Sequence, residues 1–96
     1  MLGLLVDRVK GMPLTQLGRP PAGGDVARSE LVHRTAQVLA DLAADAEGRA
    51  RRDVPVLAVH GTGDQLAVLG ADVLAVADRP RLAQAHEAVL GLRRAL

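Results

Sequence analysis

The sequence predicts an all-α fold: a small helical bundle built from a long helix, a short crossing and a C-terminal αα-hairpin. Apolar residues recur every three or four positions in its main stretches, which is the period of a helix. Acid–base pairs at four-residue spacing, acid first, run along the longest stretch. Residues that start and stop helices stand at the ends of these stretches. The alternative is an α+β arrangement with a small meander at 54–77, because VPVLAV, QLAVL and VLAVA also fit three strands joined by HGTGD and GAD. The helix is preferred there because Leu66, Leu69, Val73 and Val76 follow a three- or four-residue repeat, and a strict alternation of apolar and polar residues is missing.

In chain order, residues 2–10 form a short helix with Leu2, Leu5, Val6 and Val9 on one face, ended by Gly11 and Pro13. From Gly11 to Gly24 the chain is GMPLTQLGRPPAGG, a proline- and glycine-rich arm, in which Leu14 and Leu17 suggest docking onto the rest. The short helix and arm make up 1–24, and 25–96 form a single helical domain. Its longest helix is expected over 26–52 with Asp25 as N-cap. The pairs Glu30–Arg34, Asp45–Arg49 and Glu47–Arg51 support it, and Gly48 weakens its last part. Leu31, Val32, Thr35, Val38, Leu39, Leu42, Ala43 and Ala46 make its apolar stripe.

An extended crossing follows over 53–61. Thr62-Gly63-Asp64-Gln65 then fits a capping box, with Thr62 as N-cap and Gln65 at N3. A helix over 64–77 would carry polar side chains, after Asp64, only at Gln65 and Asp72. The rest of its circumference is apolar and calls for cover on most sides. The last helix begins at Asp78 with Pro80 in its first turn and has Arg93 and Arg94 in its last. Its seam is Leu82, Ala85, Val89, Leu92 and Leu96.

Composition narrows the function classes. The chain has 96 residues, room for one domain, and 49% of them are hydrophobic, which is enough for a core. Ala, Val, Leu and Met supply all of that, since Ile, Phe, Tyr, Trp and Cys are absent; contacts must then come from close approach of small side chains. One Lys stands against eleven Arg and Asn is missing, the bias of a GC-rich bacterial genome. A net charge of +1 gives no overall field toward nucleic acid or an anionic membrane. Without cysteine there is no disulfide framework or thiolate metal site. No signal peptide or membrane span is evident, so a cytoplasmic location is expected.

Several motifs touch on chemistry. PVLAVHGTGD at 55–64 resembles the late strand and loop of α/β-hydrolases, and that resemblance implies Asp64 as the triad acid and His86 as the base. It covers ten residues. The only serine, Ser29, lies in Arg-Ser-Glu and not in a Gly-x-Ser-x-Gly elbow, and the length is too short for that fold, so a proline-led crossing and a capped helix account for the segment better. Glu30-x-x-His33 has the spacing of di-iron bundle sites, but it needs a second copy; this leaves a metal-dependent enzyme formed across a dimer as a remote alternative. His60 and His86 have no partner at ligand spacing. Gly61-Thr62-Gly63 resembles part of a phosphate cradle but lacks the lysine or third glycine of the usual fingerprints.

Arg49, Arg51 and Arg52, with Arg93 and Arg94, make one nucleic-acid surface if the two helix ends meet; the alternative function is therefore a small DNA-associated regulator. The leading expectation is a non-catalytic interaction or accessory protein without cofactor or metal. It acts through helix–helix contacts with a second copy, most simply as a homodimer, or with a larger protein. The helix-seam residues assigned to this role are Leu31, Val38, Leu42, Leu66, Leu69, Val73, Leu82, Val89 and Leu92.

Overall fold

The computed structural model describes residues 2–56 and 61–96, and among them it places five helices and no strand. They are α1 (Leu2–Gly11), α2 (Leu14–Leu17), α3 (Arg28–Ala46), α4 (Thr62–Val76) and α5 (Arg79–Ala95). The all-α bundle is what forms, and the meander is excluded where α4 stands. His60 and the middle of the expected crossing fall in 57–60, outside the described residues.

α3 is the central helix: α4, α5 and α2 pack on it, and α1 packs on α4. Two glycines on one face of α4 let α1 come close. A Cβ on Gly63 would lie 2.6 Å from Lys10 Cγ, and one on Gly70 would strike the Leu2 side chain. Glycine thus weakens α4 as an isolated helix but permits its packing. Gly63 meets the end of α1 and Gly70 its start, so the two helices are antiparallel. α5 likewise runs back along α3. Leu31, Thr35 and Val38 share a groove with Ala88, Leu92 and Ala95, while Arg81 is near enough to Asp45 to act on its charge.

Leu39, Leu66, Val9, Val32 and Val73 are the largest fully buried side chains, joined by Leu5, Val6 and Leu17 from the N-terminal part. Of the two arm leucines expected to dock, Leu17 does and Leu14 stays exposed. The arm is tied down by Arg28. Its Nη1 donates to the carbonyl oxygens of Gln16 at 3.2 Å, Arg19 at 3.3 Å and Pro20 at 3.3 Å, and its backbone N–H donates to Arg19 at 3.0 Å.

The helix ends differ from expectation in instructive ways. α3 begins after Ala27, with no side-chain cap, not after Asp25. It ends at Ala46 instead of Arg52 because Gly48, at φ +68°, turns the chain into the left-handed region. The Arg49 N–H donates to the Ala44 carbonyl at 3.0 Å and the Gly48 N–H to that of Asp45 at 3.2 Å, which together form a Schellman motif. Beyond that turn the four-residue spacing no longer applies. Glu30–Arg34 forms at 3.3 Å, but Arg49 pairs with Glu47 at 2.9 Å and Arg51 with Asp45 at 2.7 Å.

The crossing is held by amides: Gln37 Nε2 donates to the Arg52 carbonyl at 3.0 Å and Gln37 Oε1 accepts from the Val54 N–H at 2.8 Å. Thr62 is the first residue of α4, not its N-cap, and Gln65 Nε2 reaches the Pro55 carbonyl at 2.9 Å instead of closing a capping box. Asp78 caps α5 as expected, accepting from the Arg81 N–H at 3.0 Å and pairing with its guanidinium. Ala77 and Asp78 make the short joint of the C-terminal pair, whose helices pack chiefly on α3 and only slightly on one another.

Candidate functional site

The nine seam residues divide by burial. Leu42, Leu66, Val73, Val89 and Leu92 are buried inside this chain, where they hold its own helices together. Leu31, Leu69 and Leu82 are half-buried against the same core, and Val38 is exposed. Any surface offered to another molecule therefore depends on residues outside most of that set.

Those residues lie around α4. Leu66, Gly70 and Val73 turn inward, while Val68, Ala71, Leu74 and Ala75 are exposed, Val68 at 61% and Leu74 at 67%. On one flank of α4 an apolar cleft of about 670 Å³ opens toward α5 and the start of α1. Its floor is Leu39, Val73, Ala85 and Val89, and its rim carries Leu2, Leu74, Ala83 and His86. This cleft exists because α4 and α5 both rest on α3 but scarcely touch one another. No aromatic side chain is present to fill the gap. On the other flank a cleft of about 680 Å³ has a mixed lining: Val54, Val68 and Leu69 beside Arg49, Arg52, Asp64 and Asp72. Neither Val68 nor Leu74 was singled out in the sequence. Their signal lay in the helical phase, since both fall off the face defined by Leu66 and Val73.

No family model matches the chain, and no curated protein or solved structure shows significant similarity to it.

About half of the charged side chains form ion pairs at the surface. Lys10 Nζ lies 2.6 Å from Asp64 Oδ1, and the hydrogen bond and the attraction of that carboxylate raise the lysine's pKa. The Asp45 carboxyl titrates below its ordinary range because it accepts from Arg51, whose own pKa rises in return. The pair implied by the hydrolase resemblance is not assembled. Asp64 lines the mixed cleft beside Lys10, His86 lines the apolar one, and Ser29 is near the start of α3. Glu30 is turned to Arg34, and among the described residues no group of three or more His, Asp or Glu comes together to hold a metal. Lys10 and Val9 pack where a phosphate would approach Gly63.

The five arginines do not form one patch. Because α5 is antiparallel to α3, Arg93 and Arg94 stand at the opposite end of a helix about 28 Å long from Arg49, Arg51 and Arg52. Arg93 instead shares a surface hollow with Arg8, Leu4 and Leu5. Arg49 and Arg51 are already paired with Glu47 and Asp45. No described helix is long and apolar enough to cross a membrane.

Proposed function

We propose that this chain is a cytoplasmic, non-catalytic interaction protein that works through helix–helix contacts, with a second copy of itself or with a larger protein. The observation that carries the reading is the outward side of α4. There Val68 and Leu74 are more than half exposed on a helix with an apolar cleft beside it. Large apolar side chains grouped on one exposed element are a mark of a contact surface.

The test compares the wild type with the double variant Val68→Glu, Leu74→Glu in sedimentation velocity at micromolar concentration and in affinity capture from the native host. The expected result is self-association of the wild type, or a protein retained by it, that the double variant loses while keeping the same helical circular dichroism. A wild-type monomer that retains nothing beyond what the double variant retains rejects the reading.

A further inference from the structure

We infer that residues 13–27, between α1 and α3, form a strap that opens and closes as one unit over a bundle that stays folded, with Arg28 as its latch. Leu17 is the only buried residue of this stretch, 2% exposed, while Leu14, Thr15 and Gln16 before it are exposed. Its two charged residues, Arg19 and Asp25, join no ion pair among the described residues. Apart from the first turn of α3, the hydrogen bonds that tie the strap to the rest of the described chain come from Arg28. One leucine and one arginine therefore hold fifteen residues, 13–27, in place. A region with so few buried apolar contacts opens at a lower free energy than the whole fold.

The latch is incompletely satisfied when closed. Arg28 Nη1 carries two hydrogens but faces three carbonyl oxygens, those of Gln16 at 3.2 Å, Arg19 at 3.3 Å and Pro20 at 3.3 Å. These are long for N–H···O bonds, and the Arg19 oxygen already accepts from the Arg28 backbone N–H at 3.0 Å. The Arg28 Nε–H is buried and meets no acceptor among the described residues. A buried donor without a partner opposes closure, and water relieves it once the strap lifts. The opening is cooperative because α2, with four residues, is too short to stand as a helix alone. Its bonds from the Leu17 N–H to the Pro13 carbonyl and from the Gly18 N–H to that of Leu14, both 3.0 Å, depend on the packing of Leu17 and are lost together when it leaves. Closed, the strap withholds Leu17 and covers its seat beside α3. Open, it frees Leu17 next to Leu14, which is already 57% exposed. A contact made through both leucines is thus available in the open state alone, whether or not the outward side of α4 is also engaged.

Native-state hydrogen exchange of the full chain, followed by NMR at low urea, tests this. In the wild type the Leu17 and Gly18 amides should share one protection factor, about 100-fold or more below those of Leu39 and Leu66. That shared factor should change little with urea, because lifting the strap exposes little surface. Arg28→Met keeps the apolar stem and a good helix former at the start of α3 but removes the side-chain donors. It should lower protection at Leu17 and Gly18 by about 10-fold and leave Leu39 and Leu66 unchanged. Equal protection of all four amides in the wild type would mean that the arm unfolds only with the bundle, and would overturn the strap. Unequal factors at Leu17 and Gly18, or no protection at either, would overturn it as well. Arg28 is rejected as the latch if Arg28→Met leaves Leu17 and Gly18 unchanged, or lowers all four amides by the same factor. The wild-type comparison needs no variant, so it decides the strap even where Arg28→Met folds poorly.

Discussion

Gly91 and Gly48 are both glycines at open positions, yet an alanine at each has the opposite effect. Gly91 lies inside α5, exposed, with nothing within 4 Å of an added Cβ. Gly91→Ala therefore gains helix propensity without a clash and raises stability by about 1 kcal/mol in urea unfolding. Gly48 also has space around it, but its φ is +68°. Gly48→Ala forces a side chain into the left-handed region at the end of α3 and lowers stability by about 1 kcal/mol in the same measurement. A second residue-level prediction concerns Asp45. Its hydrogen bond from Arg51 depresses the carboxyl pKa, so the folded state binds this proton less readily than the unfolded one. The resulting stabilisation is present above the unfolded value of about 3.9 and is lost as pH falls through the lower folded pKa. In an NMR titration of the Asp45 carboxyl, Arg51→Gln should move the midpoint upward toward the ordinary value. No upward movement would mean that the pair does not persist in solution.

Among the elements, the crossing at 51–56 depends on one side chain more than on its own sequence. Gln37 accepts from the Val54 N–H and donates to the Arg52 carbonyl, which anchors a segment without regular structure onto α3 and keeps Val54 buried. Gln37→Leu leaves the N–H and the carbonyl without these partners, and the expected cost is about 1–3 kcal/mol. Native-state hydrogen exchange separates this local role from a general one. The Val54 amide should lose protection by a larger factor than the Leu66 amide in the α4 core, and an equal loss at both would contradict the anchor. Such long-range clamps were not legible in the sequence, and neither was Arg28 on the arm, because nothing local marks which glutamine or arginine will meet a distant backbone. What depends on neighbours in the chain was legible. Asp78 and Pro80 start α5, Leu66 and Val73 mark the inner face of α4, and Gly11 ends α1. Gly48 shows how two local signals compete. The acids and arginines at 45–51 argued for continuing α3, and the glycine decided against it by closing the Schellman turn.

For the molecule as a whole, the candidate surface was half legible. A helix apolar around most of its girth announced that α4 needs cover, but not which part of that need the chain meets by itself. Burial of Leu66 and Val73, together with the glycine-lined approach of α1, answers one side of α4, and the cleft beside Leu74 follows from how α4 and α5 are seated on α3. That arrangement makes Leu39 the residue with the widest reach. It is 1% exposed on the central helix and forms the floor of the cleft between α4 and α5. Leu39→Ala removes contacts to both and deepens a hollow that already exists, so the neighbours have little means of closing the void. The expected loss is about 2–5 kcal/mol, a large share of the roughly 5–14 kcal/mol that holds a chain of this size. Thermal unfolding followed by far-ultraviolet circular dichroism should show one cooperative transition at a much lower midpoint, α4 and α5 melting together. Two separate transitions, or a midpoint close to the wild type, would contradict a bundle whose outer helices are joined through α3.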